Sequence, residues 1–383
     1  YLLHFILIRL LNANNLPLND RFFKCIPMSN NKKLSFCIVC KDRLNHLQST
    51  LRKNIVSNLR DDVEFVLLDY SSLDGMGAWV ESFCHEYIAR GILSYYKYQE
   101  ATSFHRTHSR NMAFKLACGE YLCNLDADNY LGNDFAGYIL NIFEKKQKVF
   151  ITSDYSKRDS IGRVCVSKSD FLKVRGYNEK FAGYGFEDIE FYNRLQESGL
   201  KQIYSSKNEY YKAITHSHEL RLKEEKLYAE PFALYLQYIS PYKVAFILAY
   251  HNGSATFGRL INNYNKNFND MLYEQLDITK REISDYRRTV LESNLDYGVW
   301  HMLPDTKMYF SFKKFSYRLK NNNNCLFDEK CMFYRIMDKK LCDEFMLSLS
   351  DAINYNTYKN QYNQTINPHG FGLGKVIKNF NDS

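Results

Sequence analysis

With 383 residues, 45.3 kDa and a formal charge of +8, the chain can bury a sizeable core and needs no disulfide or metal staple to fold. The positive balance favours anionic partners such as nucleotides, acidic glycans or an anionic membrane surface. The basic residues are dispersed rather than clustered with aromatics, which argues against nucleic-acid binding, and the 31 Tyr and 27 Phe serve core packing, sugar stacking or an interface.

The opening YLLHFILIRLL, interrupted by His4 and Arg9, is too short to span a bilayer and lacks signal-peptide flanks. It reads as a strand or a docking helix. From Leu34 the pattern alternates. LSFCIVC is a buried strand, RLNHLQSTLRKNIVSNL a helix with Leu44, Leu47, Leu51 and Ile55 on one face, VEFVLLDY a second strand and GAWVESFCHEYIARG a second helix. ILSYYKYQE follows as a short strand, and THSRNMAFKLACG is a helix closed by Gly119 that runs directly into YLCNLDADNYLG. Strands joined by helices over short connections predict an α/β fold with a mostly parallel sheet covered on both faces. The segments VFITSD, GRVCVSKSDFLKVRG and FEDIEFYNRLQESG extend it, the last as a helix through Ile189, Tyr192 and Leu195. In CIVC, the strand period sends Cys37 and Cys40 to opposite faces, so they read as buried, reduced small hydrophobes in a reducing compartment rather than a metal or redox pair. Beyond Glu219 the patterns RLKEEKLYAEPFALYLQYIS and ITKREISDYRRTVLESNL look helical, with Pro231 interrupting or restarting a helix, and LKNNNNCLFDEK reads as a loop. The expected organisation is an N-terminal extension at 1–33, an α/β domain at 34–219 and a mainly helical region at 220–383, either a separate domain or a cover for the first.

Three clusters carry chemistry. YLCNLDADNYLG is a buried strand that delivers Asp126 and Asp128 to its carboxyl end, where open α/β sheets place their ligands. They either cap a turn or, with one close to the sheet and the other free to reach a bound cation, offer carboxylate oxygen to Mg²⁺ or Mn²⁺ bridging a diphosphate. GYGFEDIEF sets Glu187, Asp188 and Glu190 in one turn, as helix caps or with one acid facing a hydroxyl as general base. AITHSHE crowds His216 and His218 together, and an imidazole could complete a cation's coordination.

Residues 34 to about 219 resemble family 2 nucleotide-sugar glycosyltransferases with a single Rossmann-like GT-A domain, and their relatives among bacterial chondroitin polymerases and animal beta-1,4-galactosyltransferases. SFCIVCKDRLNHL meets the pattern of a buried strand followed by an Arg-bearing turn. VLLDYSSLDG looks like VDDGSTDG, SRNMAFKLACGEYLCNLDADN is similar to ARNxGxxxAxGEYxxFLDxDD, and GYNEKFAGYGFEDIEFYNRL resembles GGFDExFxGWGxEDxDxxxRL. The resemblance implies that Asp42, Arg43, Asp69, Arg110, Asp126, Ala127 and Asp128 surround a UDP-sugar donor, with Asp69 on the uracil ring and Arg110 near the diphosphate. It further implies that Asp128 and His216, chosen over His218, hold Mn²⁺ or Mg²⁺, that Asp188 is the base of an inverting transfer and that Glu187 binds the acceptor. The acceptor would be a hydroxyl of a glycan or lipid-linked oligosaccharide, and UDP-galactose, UDP-N-acetylgalactosamine and UDP-N-acetylglucosamine all fit as donors. The setting this implies is a bacterial, cytoplasmic, capsule- or lipopolysaccharide-building enzyme peripheral to an anionic membrane, with acceptor choice residing in 220–383. Two departures stand out. Ala213 occupies the position of a family methionine ligand, and Phe186 stands where the family carries a small residue, with Tyr184 in place of Trp. The alternatives are a catalytically silent nucleotide-sugar or glycan-binding module of the same fold and, among enzymes, a retaining transferase, which the FED block disfavours.

Overall fold

The structure, a computed structural model, describes residues 32–154, 158–205, 207–215, 231–240, 243–262, 289–292, 295–302, 308–312, 315–319, 325–327, 332–361 and 364–381. The strand or docking helix expected at the start of the chain lies outside them. The chain divides into two compact units, Tyr1–Glu179 with Asp188–Thr215 and Thr365–Ser383, and Lys180–Glu187 with His216–Gln364.

The first unit follows the alternating pattern. β1 (Leu34–Cys40), α1 (Leu44–Ser57), β2 (Val63–Tyr70), α2 (Met76–Ala89), β3 (Leu93–Tyr98), α3 (Arg106–Leu116) and β4 (Tyr121–Asn124) succeed one another. Then come β5 (Asn129–Tyr130), α4 (Phe135–Lys145), β6 (Val149–Ser153), β7 (Val164–Ser167), α5 (Lys168–Lys173), α6 (Glu187–Glu197), β8 (Lys201–Ser205) and β9 (Lys212–Ala213). Eight strands form one sheet in the order Val376–Lys378, β3, β2, β1, β4, β7, β6, β8. β1 is parallel to β2 and β4, β2 to β3 and β6 to β8, whereas β7 runs antiparallel to β4 and β6, and Val376–Lys378 runs antiparallel to β3. The period of two splits each central strand between two cores. Phe36, Ile38 and Cys40 face α1, α2 and α4 through Leu47, Leu51, Val80 and Phe135. Cys37, Val66 and Leu68 face α3 and α6 through Met112, Phe114 and Phe191. The two cysteines of CIVC thus point to opposite faces and are both buried and unbridged.

The second unit carries β10 (Pro231–Ser240), β11 (Lys243–Tyr250), β12 (Ser254–Asn262), β13 (Thr289–Leu291), β14 (Asp296–Met302), β15 (Met308–Phe312), β16 (Phe315–Leu319), β17 (Cys325–Phe327), β18 (Met332–Ile336) and α7 (Lys339–Asn360). Its strands form a nine-stranded sheet in the order β11, β10, β18, β17, β16, β15, β14, β12, β13, and a further pairing of β11 with β12 closes eight of them into an antiparallel barrel. Tyr235, Ile247, Phe257, Phe310, Phe312, Tyr317 and Phe333 fill one face of this sheet. The other face packs Leu234, Leu236, Phe246 and Leu248 against Leu341, Phe345 and Leu349 of α7.

This composition differs from the mainly helical reading of 220–383. PFALYLQYIS is β10, with Pro231 at the first position of a strand, where its missing N–H costs least. The run alternates between the two faces of the barrel, and both faces are apolar, so period alone does not separate it from a buried helix. Cys325–Phe327 of the expected loop is β17, and Thr289–Leu291 of the second helical pattern is β13. Among the described residues no helix is long and apolar enough to cross a membrane.

Candidate functional site

The DAD loop leaves β4 at the carboxyl end of the sheet and is held from behind by α1. Thr50 Oγ1 donates to the Ala127 carbonyl at 2.6 Å, Asn54 Nδ2 to the Asn129 carbonyl at 2.8 Å and Asn58 Nδ2 to the Gly132 carbonyl at 3.0 Å. Asn54 Oδ1 also accepts from Leu131 N at 2.9 Å, and Asn58 Oδ1 from Ala136 N at 2.9 Å. These three residues recur at every fourth position and so share one helix face. All three are buried, and they satisfy loop backbone that would otherwise be stranded beside the core.

Arg110 joins the two acidic motifs. Its Nη1 donates to Asp188 Oδ1 at 2.7 Å and its Nη2 to Asp126 Oδ1 at 3.4 Å. The guanidinium lies over the ring of Tyr177, 5.5 Å from its centroid. Asn124 Nδ2 bridges Asp126 Oδ1 at 3.1 Å and the Gly162 carbonyl at 2.9 Å, bringing the loop before β7 to the same place. Gly162 lies so close that a Cβ there would stand 2.8 Å from Arg110 Nη2, 3.1 Å from Asp188 Oδ2 and 3.5 Å from Asp126 Oδ2. Glu187, which precedes Asp188 at the start of α6, is buried. The third acid of the block has a structural partner, since Glu190 is gripped at both oxygens by Arg194 at 2.6 and 2.8 Å.

Position 213 is opposite the DAD loop. β5 pairs with β9 so that Asn129 faces Ala213, and Ile214 N donates to the Asp128 carbonyl at 2.9 Å. His216 and His218 lie outside the described residues. Ala213 has no donor atom with which to replace the family methionine. Among the described residues no group of three or more His, Cys, Asp or Glu side chains is arranged to hold a metal. Asp126 and Asp128 supply hard oxygen donors, a chemistry that suits Mn²⁺ or Mg²⁺.

Asp42, Arg43 and Asp69, which the resemblance would place beside a nucleotide, lie at the ends of β1 and β2. Asp42, in the left-handed region at φ 49°, accepts from Leu73 N at 2.6 Å and pairs with Lys41 at 3.1 Å, and Arg43 is the residue before α1. Asp69 is 1% exposed and accepts from Ser72 N at 2.8 Å and from Tyr95 Oη at 2.7 Å. Burial and then the Asp69 charge push the Tyr95 phenol up, keeping it a donor. Asp69 thus braces the turn after β2 rather than presenting an open carboxylate.

In the second unit, the GYGF turn is fixed to α7. Ser350 Oγ accepts from Tyr184 N at 2.8 Å, and Asn354 Nδ2 donates to the Gly185 carbonyl at 2.7 Å. Phe186 adopts φ 65°, which explains why a small residue is the easier choice there. The strain is offset by its ring, which packs 5.1 Å from Tyr355 and 5.3 Å from Tyr358.

Sequence reasoning missed Thr50, Asn54, Asn58, Asn129, Gly162 and Arg163. The first three had a legible signal, as polar residues at helical spacing beside the apolar Leu47, Leu51 and Ile55. Gly162 and Arg163 had none, because their contacts join segments remote in sequence, and Asn129, although beside Asp128, takes its orientation from the remote Arg163.

The first unit is a mixed, mostly parallel α/β sheet flanked by helices, and the second an antiparallel barrel with one long helix. A family model described as the N-terminal domain of galactosyltransferase matches residues 144–218. The chain is similar to a mannosyltransferase from Pyrobaculum calidifontis solved with GDP-Man and Mn²⁺, at 15% identity and a TM-score of 0.43 over 56% of this chain and 66% of that one. It is similar to S. aureus TarS at 15% identity and a TM-score of 0.40 over 50% and 65%. A Drosophila beta1,4galactosyltransferase 7 complex with xylobiose aligns at 16% identity and a TM-score of 0.36 over 51% and 75%. The chain spans just under two thirds of the length of the first two. Among curated proteins none matches it significantly.

Proposed function

We propose that this protein is an inverting, metal-dependent glycosyltransferase that moves a hexose or N-acetylhexosamine from a UDP-sugar to a hydroxyl of a glycan or glycolipid. The observation that carries the reading is the Arg110 clasp, which gathers the strand-end Asp126 and the helix-start Asp188 into one cluster of alternating charge. The family model over 144–218 covers the second of these acids and supports it.

Arg110 neutralises both acids before substrate enters. An incoming diphosphate competes for the same guanidinium, a donor fork suited to phosphate oxygens, and this frees Asp188 for the acceptor. The hydroxyl oxygen attacks the anomeric carbon and passes its proton to Asp188, while the bond from that carbon to the diphosphate oxygen breaks and its electron pair leaves with UDP. Asp188 then returns the proton to solvent. Positioning by Arg110, Asp126 and Asn124 provides much of the rate. Asp128, with His216, would hold Mn²⁺ or Mg²⁺, which would supply Lewis-acid stabilisation of the departing diphosphate. Residues 220–383 would carry acceptor choice, and the excess of positive charge suits an anionic membrane surface.

The test is nucleoside diphosphate release from a panel of nucleotide sugars with Mn²⁺, Mg²⁺ or chelator, alongside Asp188→Asn and with donor binding read by calorimetry. The expected result is slow hydrolysis of one donor, lost with chelator and in the variant. Donor binding without turnover, even when acceptor glycans are supplied, would favour the silent module. No binding of any nucleotide sugar by folded protein would refute both.

A further inference from the structure

Arg163 is buried to 2% exposure, and its guanidinium meets no carboxylate among the described residues. Nη1 donates to the Tyr210 carbonyl, and Nη2 donates to Asn129 Oδ1 at 2.8 Å and to the Tyr130 carbonyl at 3.1 Å. The charge lies over the rings of Tyr211 and Phe135, 5.0 and 5.6 Å from their centroids, and Nε has no partner among the described residues. Burying a cation among neutral acceptors is costly, so the contacts it makes call for a purpose beyond packing.

The purpose follows from what a guanidinium cannot do. It has donors and no acceptor, so its contact with Asn129 fixes the orientation of that amide. Oδ1 must face Arg163, and Nδ2 must face away. Nδ2 then donates to Asp128 Oδ1 at 2.7 Å and to the Asp159 carbonyl at 3.1 Å. A flipped amide would set NH₂ against the guanidinium and oxygen against the carboxylate, two repulsions at once.

We infer that Arg163 and Asn129 are positioning residues that set the rotation of the Asp128 carboxylate for a hard divalent cation. The inference rests on the reading of Asp128 as a ligand of that cation. Arg163 acts at one remove, through an amide locked by its donor-only chemistry, and the antiparallel pairing of β5 with β9 supplies the fixed frame in which both are held.

Manganese affinity, read by the electron paramagnetic resonance of free Mn²⁺ with and without UDP, tests it in the full chain. Asn129→Asp still accepts from Arg163 and so keeps the loop contact, but it has no hydrogen to donate to Asp128. Arg163→Gln can pair with either end of the Asn129 amide, so the orientation is no longer dictated. Loss of a partner that orients a metal ligand typically costs tenfold to a hundredfold in affinity. About that loss is expected in Asn129→Asp and a smaller one in Arg163→Gln, with cooperative unfolding retained. If Asn129→Asp fails to fold, Arg163→Gln decides. Asp128→Asn separates the two layers of the argument. Loss of Mn²⁺ there, with unchanged or tighter binding in the folded test variants, overturns the positioning role alone. Wild-type Mn²⁺ binding in Asp128→Asn, or none in the wild type, removes Asp128 as a ligand and this inference with it.

Discussion

Replacing Asn54 with Ala removes both ends of one clamp on the DAD loop. The Asn129 carbonyl and the Leu131 N–H lose partners at 2.8 and 2.9 Å, and both residues are within 1% of complete burial. Each buried polar group left unpaired costs about 1–3 kcal/mol, so the variant should lose about 2–5 kcal/mol, a large part of a domain's usual stability. At roughly 2–4 °C per kcal/mol for a unit of this size, the corresponding fall in melting temperature is about 5–15 °C. The chain's 2 Trp divide conveniently between the units, with Trp79 in α2 and Trp300 in β14. In a Trp300→Phe background, urea denaturation followed by fluorescence therefore reports the first unit. Val56→Ala, on the exposed side of the same helix, should change stability by no more than about 0.5 kcal/mol. A loss under about 1 kcal/mol for Asn54→Ala would refute the clamp.

Gly162→Ala should reduce donor turnover by about tenfold or more with a stability loss of only about 1–3 kcal/mol, because its Cβ would press on Arg110 at 2.8 Å and Asp188 at 3.1 Å; turnover equal to wild type would show that the pocket has room to spare. His105 caps α3 by accepting from His108 N at 3.4 Å, and burial, then His108, holds its imidazole below the ordinary value. Because the unfolded chain binds that proton more readily, stability should be full above about pH 6.5 and decline as pH falls from there toward the depressed value. His105→Asn, a competent cap, should flatten the decline in urea midpoints between about pH 7 and about pH 5, and an equal decline in both proteins would refute the assignment. Burial pushes the Cys37, Cys40 and Cys165 thiols up, and that of Cys84 up to about 11, whereas Cys118 is exposed. Iodoacetamide at neutral pH should therefore label Cys118 first among these five in peptide maps, and early labelling of Cys37 would contradict its placement.

Much of the first unit was legible locally. Each strand from LSFCIVC to YLCN is bounded by turn residues and followed by a helix with its own apolar face, so the order of elements reads directly from period and punctuation. The strand-end location of Asp126 and Asp128 follows from the same reading. The barrel of the second unit was not legible, because the neighbouring strands β10 and β18 are separated by most of the unit in sequence, and a strand apolar on both faces has lost the alternation that would identify it.

The sequence by itself determined which residue types could do chemistry and roughly where along the chain they emerge, since short-range periodicity dictates which segments become strands and where those strands end. Only the tertiary structure decided their partnerships. Arg110 meets Asp188 across 78 positions and Asn129 meets Arg163 across 34, whereas the Glu190–Arg194 pair, one helical turn apart, is a local contact that helical spacing already carries. A hydrogen bond or ion pair depends on distance in space, and no local pattern records which remote donor a buried carboxylate will find.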